Sequence, residues 1–187
     1  MCLRDLIYTA PDSLPAQLCD DLVEGFKYSG KAQPSVYEGV RDFRELLINT
    51  DPCFSVEMPI VWERFMYEAQ RYAWERQIPE QQLGLESCDA EGFRIKHYAQ
   101  GKGSFLKHVD VGDHASARRA LAVFWYLNDV QDGGETVFYA QSGEVILSIK
   151  PEKGRIVVFP PMWMFPHAGL VPLSGDKYLL SSYLHYR

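Results

Sequence analysis

The second half of the chain consists of short apolar segments separated by turn-forming residues, and this pattern most restricts the possible folds. From about residue 91 onward, Gly, Pro, Asp and Asn separate eight segments rich in β-branched and aromatic residues: GFRIKHYA, SFLKHVDV, RALAVFWYLND, GETVFYA, EVILSIKP, RIVVFP, HAGLV and KYLLSSYLHY. Many short strands at close spacing are typical of an all-β sandwich or barrel. The sequence therefore predicts eight strands that form a β core.

The first half of the chain has helical periodicity instead. In SLPAQLCDDLVEGFKYSG, apolar residues recur every four positions, with Ser13 as the expected N-cap and Gly30 as the expected end. In MPIVWERFMYEAQRYAWERQIPE, one apolar stripe follows Pro59, and Pro79 stops the pattern. The sequence predicts two amphipathic helices before the β core.

Length and composition suit one compact unit. The chain has 187 residues, and 47% of them are hydrophobic, which is enough to build a buried core. We expect an α+β fold in which residues 1–88 form a mainly helical support region, packed on one sheet, and residues 89–187 form the β core. The formal net charge of −6 argues against a nucleic-acid partner, because phosphate backbones favour basic surfaces.

The cysteines and the N-terminal segment bear on the cellular compartment. Cys2, Cys19, Cys53 and Cys88 are scattered without a CxxC pair, which favours reduced thiols over a zinc ribbon. The start, MCLRDLIYTAPDSLP, lacks a basic region followed by a long apolar run, and no run of about 18 apolar residues occurs. We expect a cytoplasmic protein with no membrane segment.

Candidate metal ligands cluster in the stretch FLKHVDVGDH. In a strand, alternate side chains share one face, so His108 and Asp110 are expected to point the same way. His114 is expected to lie in a loop away from the metal, because Gly112 and Asp113 are turn formers that end the strand. One strand therefore offers two ligands and needs a third from elsewhere.

The third ligand must come from elsewhere in the chain, and four histidines remain as candidates: His97, His114, His167 and His185. His167 has the most informative surroundings, since it follows a strand and the aromatic segment PMWMFP and precedes Lys177 by ten residues. Two histidines and one carboxylate leave open positions that suit Fe(II) binding an organic chelate and O₂, although zinc accepts the same ligands. A nearby lysine could neutralise an anion bound beside such a metal.

The motifs together carry a family resemblance. The segment YLNDVQDGGETVF, the pair His108-x-Asp110, and His167 with Lys177 resemble the prolyl 4-hydroxylase-like branch of the 2-oxoglutarate- and Fe(II)-dependent oxygenases. The resemblance runs from about residue 91 to the C-terminus and extends more weakly to APDSLPAQLCDDLVE. It implies a double-stranded β-helix, a jelly-roll of two sheets with the metal between them.

The resemblance also implies roles for individual residues. His108, Asp110 and His167 would bind the iron at the catalytic centre, and Lys177 would pair with the distal carboxylate of 2-oxoglutarate. Three further positions would lie at the cosubstrate: Tyr98, Thr136 and Tyr183. Arg118 and Arg119 are interpreted either as a solvated charge pair or as lining of the substrate entrance.

The implied reaction couples decarboxylation of 2-oxoglutarate, which gives succinate and CO₂, to hydroxylation of an unactivated C–H bond by O₂, with ascorbate as a supporting reductant. We expect a proline-containing peptide or protein as the substrate. Hydroxylation of a free amino acid or another small molecule is an alternative, since the chain ends at the last core strand with no extension to shape a peptide groove. Nucleic acid demethylation is disfavoured, because that branch generally anchors 2-oxoglutarate with arginine. A cupin-like metal-binding protein without oxygenase activity is an alternative of another class, which would need no anchor such as Lys177.

Overall fold

Strands from the whole chain join into one antiparallel sheet, and helices cover one of its faces. The computed structural model describes residues 2–187. The strands are β1 (Tyr8–Ala10), β2 (Gln33–Tyr37), β3 (Arg41–Leu47), β4 (Cys88–Ala90), β5 (Arg94–Tyr98), β6 (Ser104–His108), β7 (Arg119–Tyr126), β8 (Thr136–Tyr139), β9 (Val145–Ile149), β10 (Ile156–Phe159), β11 (His167–Gly169) and β12 (Lys177–Tyr186). The helices are α1 (Ala16–Ser29), α2 (Glu57–Glu75) and α3 (Glu80–Leu83), with 3₁₀ turns at Leu3–Leu6, Pro52–Phe54 and Leu85–Ser87.

The sheet order is β1-β10-β7-β12-β5-β3-β6-β11-β8-β9, with β2 paired to β3 and β4 paired to β12. Each of the eight segments predicted to be strands contains one, from β5 to β12. The first half is not only helical, because β1, β2 and β3 also belong to the sheet, and β3 lies between β5 and β6. The sheet therefore includes strands from both predicted regions, residues 1–88 and residues 89–187.

Residues alternate between the two faces of the central strands, as the pleat of a strand requires. On one face of β7, Leu121, Val123 and Trp125 join the helices in a large core. On its other face, Ala122, Phe124 and Tyr126 belong to a second, inner core. The side chains of the long strand β12 alternate in the same way. Those that face the inner core are Lys177, Leu179, Ser181 and Tyr183.

The inner core joins residues from both arms of the sheet, which shows that the sheet curls over on itself. The Phe159 ring of β10 packs edge-on against Phe138 of β8, with centroids 4.8 Å apart. The same Phe159 ring meets His167 of β11 at 4.9 Å. Strands far apart in sheet order thus face each other across one interior, where a site can be enclosed.

The helices follow the predicted periodicity, but the start of α1 differs from the prediction. The helix begins at Ala16 after Pro15, so Ser13 is not the N-cap. The Ser13 hydroxyl instead donates to the buried Glu68 carboxylate at 2.7 Å and accepts from Trp125 Nε1 at 2.9 Å. The Ser13 hydroxyl forms a stronger hydrogen bond with a carboxylate than it would with a backbone amide at the start of the helix. This explains why Ser13 does not cap α1.

No helix in residues 2–187 combines the length and the apolar character that a membrane crossing requires. The four cysteines are free thiols, and Cys19 and Cys88 are buried. Gly30 ends α1 in the left-handed conformation, with φ of 65°, as the sequence predicts.

Candidate metal and cosubstrate site

His108 and His167 are brought together by strand pairing. They are direct partners in the antiparallel pair of β6 and β11, and their ring centroids lie 4.3 Å apart. The register then shifts, so that Gly169 pairs with Phe105 rather than with residue 106. This bulge puts one extra residue into β6 and lets Phe105 and His108 share a face, where their rings stack at 3.4 Å.

Asp110 completes the group from just beyond the end of β6. Its backbone N–H donates to the Pro161 carbonyl at 3.2 Å, which holds the chain at this point. One carboxylate oxygen lies 3.5 Å from His108 Nε2 and the other lies 3.5 Å from His167 Nε2. One ligand atom from each of the three residues falls within 4.8 Å of the others, so the group can hold one metal ion.

Backbone carbonyls fix both imidazoles in the form that binds a metal. His108 Nδ1 lies 2.8 Å from the Leu106 oxygen, and His167 Nδ1 lies 3.0 Å from the Phe165 oxygen. Because a carbonyl can only accept, each Nδ1 carries a proton, and in the neutral ring the lone pair is therefore on Nε2. Burial also lowers the pKa of His167, which favours its neutral form.

Asp110 is held as a carboxylate by its neighbours. Burial alone would raise its pKa, but the imidazoles of His167 and His108 outweigh burial and hold the pKa below its ordinary value. The Tyr183 hydroxyl donates to Asp110 Oδ1 at 2.8 Å, and Arg119 donates to the Asp110 backbone oxygen at 2.9 Å. Two imidazoles and one oriented carboxylate form a donor set that fits Fe(II).

Lys177 is a buried cation without a carboxylate partner among the described residues. Its side chain has no exposed surface, and its ammonium donates to the Gly134 oxygen at 2.9 Å and to the Leu170 oxygen at 3.4 Å. The ammonium also lies 4.3 Å from the centre of the Tyr98 ring. Burial lowers the pKa of Lys177 to about 7, against a smaller opposing effect of Glu135. Such a group gains strongly from an anion placed beside it.

Tyr98 and Thr136 lie on the same interior as Lys177. Tyr98 is the direct strand partner of Lys177. Thr136 Oγ1 lies 2.7 Å from the hydroxyl of Tyr126, which also lies 3.2 Å from the Ile149 carbonyl oxygen. Tyr126 was not a candidate from the sequence, although its alternation with Phe124 on β7 places it on the inner face.

One cavity joins the metal group to the surroundings of Lys177. Its volume is about 50 Å³, and it is partly open to solvent. Gly169 lines it next to Lys177, and a Cβ built on Gly169 would lie 3.5 Å from the ammonium nitrogen. The other residues that the sequence predicted to bind the metal or the cosubstrate also line this cavity: His108, Asp110, His167, Tyr98, Thr136 and Tyr183.

The other histidines lie elsewhere. His97 stacks on Tyr178 at 4.6 Å and contacts Asp176 at 2.9 Å. His114 is exposed, and β6 ends at His108, four residues before the expected end at Gly112. The strand ends early because the chain leaves its partner strand to reach Pro161, as described for Asp110.

Arg119 does not form a solvated pair with Arg118. Its guanidinium forms two hydrogen bonds with Glu91, at 2.7 and 3.0 Å, and covers the Tyr183 ring at 3.8 Å. Arg118 is exposed. Of the two sequence interpretations, the structure supports lining of a cavity for Arg119, because its side chain borders the space next to Asp110.

Comparison with known proteins gives a family for this arrangement. Residues 93–185, which contain every candidate site residue, match the model of the 2OG-Fe(II) oxygenase superfamily. The Arabidopsis thaliana protein named probable prolyl 4-hydroxylase 3 is 27% identical over 122 residues, covering 51% of this chain and 42% of its own length. Prolyl 4-hydroxylase 5 of the same plant is 27% identical over 124 residues, with coverage of 52% and 42%. The chain spans about two-fifths of the length of the curated relatives it matches.

Solved structures share the fold. A Pseudomonas putida prolyl-4-hydroxylase superposes with a TM-score of 0.69 at 19% identity, covering 97% of this chain and 93% of that one. A Trichoplax adhaerens prolyl hydroxylase, solved with a fragment of the hypoxia inducible factor oxygen degradation domain, has a TM-score of 0.75 at 14% identity, with coverage of 97% and 84%. The chain belongs to the 2-oxoglutarate- and Fe(II)-dependent oxygenase superfamily, and the curated relatives that it resembles are named prolyl 4-hydroxylases.

Proposed function

We propose that this protein is a 2-oxoglutarate- and Fe(II)-dependent dioxygenase that hydroxylates an unactivated C–H bond, with peptidyl proline as the target. One observation carries the proposal beyond the family. Lys177 is fully buried without a carboxylate partner among the described residues, on the interior that also holds His108, Asp110 and His167. A metal site alone gives no reason for a desolvated cation at this place, whereas an anionic cosubstrate does.

The metal would be held by His108, Asp110 and His167. Bound Fe(II) together with 2-oxoglutarate and O₂ supplies the oxidising chemistry that no side chain can provide. The protein contributes the orientation of the ligands. Backbone carbonyls orient both rings through Nδ1 so that each Nε2 faces Asp110, and the Tyr183 hydroxyl fixes the Asp110 carboxylate.

The cosubstrate would lie between the metal group and Lys177. The ammonium of Lys177 would bind the distal carboxylate, in the position that the family resemblance implies. Tyr98 and Thr136 would line this carboxylate end, and Tyr126, hydrogen-bonded with Thr136, would add a hydroxyl to the same end. Apolar neighbours such as Phe159 exclude water, so each contact there is stronger than it would be in solvent.

The curled sheet would be a double-stranded β-helix, with the site between its two layers. Support comes from the contacts between β8, β10 and β11 across the interior and from the fold likeness to prolyl hydroxylases. This arrangement explains how β6 and β11 on one layer and β12 on the other can serve one small cavity.

The choice of proline follows the relatives, whose names specify prolyl hydroxylation, and the Trichoplax neighbour, whose title specifies a bound peptide fragment. Hydroxylation of a free amino acid remains the second candidate, because charged side chains border the metal group. A cupin-like protein without oxygenase activity fits less well, since it would bind no anionic cosubstrate to pair with the buried Lys177. Ascorbate support and a cytoplasmic location stay predictions.

A coupled turnover experiment tests the proposal. The protein is incubated with Fe(II), 2-oxoglutarate and O₂, with and without proline-containing peptides and free amino acids. Succinate and the addition of one oxygen atom to the candidate are followed by mass spectrometry. We expect succinate formation that depends on Fe(II), rises with a substrate and is lost in His167→Ala. If 2-oxoglutarate is never consumed by the metal-loaded protein, the proposal is wrong.

A further inference from the structure

A second cavity opens beside the metal group on the side away from Lys177. Its volume is about 240 Å³, and it is partly open to solvent. Its walls come from the β2–β3 hairpin, β5, β6 and β12, and it shares His108 and Asp110 with the inner cavity. A substrate that reaches the metal from this side must therefore pass its walls.

Four basic side chains line this outer cavity, and three of them come from the neighbouring strands β3 and β5. Arg94 and Lys96 are alternate residues of β5 and so share the face that also carries Tyr98. Arg41 starts β3, the neighbouring strand, and reaches the same space. The strand pattern thus collects positive charge at one wall, next to the metal ligands.

These three side chains have no close ion-pair partner among the described residues. Within residues 2–187, none of Arg41, Arg94 and Lys96 forms an ion pair within 4.0 Å. Arg94 donates one hydrogen bond to the Gly92 carbonyl at 3.1 Å. Glu45 lines the same cavity and is the single free carboxylate among its lining residues, since Asp110 is committed to the metal group.

The fourth cation of this cavity, Arg119, differs from the other three because Glu91 already neutralises it. Apart from Asp110 and the Arg119–Glu91 pair, the lining carries three basic side chains, Arg41, Arg94 and Lys96, against one acidic side chain, Glu45.

We propose that the outer cavity binds a carboxylate of the substrate, through Arg41, Arg94 and Lys96, and so selects acidic substrates. The inference rests on the proposed function and deepens it. The carboxylate can come from an acidic side chain beside the target residue of a peptide, or from the main-chain carboxylate of a free amino acid. For a free amino acid, Glu45, which lines the same cavity, would form an ion pair with the ammonium group of the substrate.

Equilibrium binding measures this preference without turnover. The protein is loaded with Mn(II) and 2-oxoglutarate under nitrogen and titrated calorimetrically. The peptide probes are capped at both ends and carry glutamate, glutamine or lysine on both sides of one proline. The small-molecule probes are L-proline and its capped amide. Binding of 2-oxoglutarate is recorded first, and its failure contradicts the proposed function rather than the carboxylate site.

We expect the glutamate peptide or L-proline to bind at least about tenfold more tightly than its neutral counterpart, as charge-assisted contacts require. A preference for the glutamate peptide identifies a side-chain carboxylate, and a preference for L-proline identifies a main-chain carboxylate. If acidic, neutral and basic probes all bind equally to protein that has bound 2-oxoglutarate, the carboxylate site does not exist.

Charge variants give the inference a second test. Arg94→Gln and Lys96→Met should each reduce the preference for the acidic probe, and Arg94→Glu should shift it towards the lysine peptide. Arg64→Gln on α2, outside the cavity lining, is the matched control and should keep the preference. An unchanged preference in Arg94→Glu, in protein that still binds 2-oxoglutarate, overturns the assignment.

Discussion

His108 lies directly opposite His167 in the pairing of β6 with β11, and each ring is held through Nδ1 by the carbonyl oxygen two residues before it. The two histidines are 59 residues apart in the sequence, yet both rings make the same backbone contact. Each Nε2 points to a different oxygen of Asp110 at 3.5 Å. The strand pair and its backbone therefore set the geometry of the candidate metal site.

Tyr183 is expected to act on the metal through Asp110. Tyr183→Phe removes the hydrogen bond to Asp110 Oδ1 and keeps the ring under Arg119, so the carboxylate loses its orientation. Loss of such a partner typically weakens metal binding by about 10- to 100-fold. Anaerobic titration with Fe(II) measures the effect, with Tyr186→Phe on the same strand as the control. Equal affinity in the variant and the native protein would remove this role.

Lys177 is expected to set the affinity for 2-oxoglutarate. Lys177→Ala should weaken its binding by about 10- to 150-fold, the usual range for one charge-assisted contact, and should leave Fe(II) affinity unchanged. Lys177→Arg should also bind poorly, because a larger planar group must fit against Tyr98 and Gly134. Lys153→Ala, on the surface beside Asp20, is the control. Wild-type affinity in Lys177→Ala contradicts the assignment.

The affinity for 2-oxoglutarate should depend on pH through Lys177. Because burial lowers the pKa of Lys177 to about 7, the ammonium form that binds an anion is abundant below this pH and scarce above it. Binding above pH 7 must therefore take up a proton, and the affinity should fall by up to about tenfold per pH unit. Calorimetry in buffers of different ionisation enthalpy detects the proton. A flat profile from about pH 7 to 9, or the same slope in Lys177→Ala, counts against this mechanism.

Ser13 is expected to stabilise the fold rather than α1 alone. Ser13→Ala leaves the buried Glu68 carboxylate without its donor and Trp125 Nε1 without its acceptor. Leaving buried polar groups unpaired costs about 1–3 kcal/mol each, so the free energy of unfolding should fall by at least about 2 kcal/mol. Urea unfolding measures this, and Ser142→Ala in an exposed loop should change it by less than about 0.5 kcal/mol. A similar small effect in Ser13→Ala would show that the hydrogen-bond chain is unimportant.

The sequence predicted the β-rich half well because its strands are short, apolar and bounded by turn residues. The proximity of His108, Asp110 and His167 was also predictable, since His108 and Asp110 share one stretch and the family motifs point to His167. The strand β3 was missed because its buried residues Phe43 and Leu46 are three apart, which hides the two-residue period.

The outer cavity could not be predicted for a different reason. Arg41 and Lys96 lie far apart in the chain and meet only because β3 pairs with β5. Tyr126 was hidden in the same way, since its contact with Thr136 depends on how the sheet curls. Local patterns give strands and motifs, whereas long-range pairing decides which side chains share a cavity.

The central claim is that His108, Asp110 and His167 hold the metal, and anaerobic Fe(II) binding to three alanine variants tests it most directly. His108→Ala and His167→Ala should lose most of the Fe(II) affinity, because a three-ligand site has lost one strong donor. His114→Ala should stay within about threefold of the native protein, an indirect effect below 1 kcal/mol. Circular dichroism of each variant confirms that the sheet is retained. Loss of the metal in His114→Ala, with retention in His167→Ala, would contradict the site and the family role assigned to it.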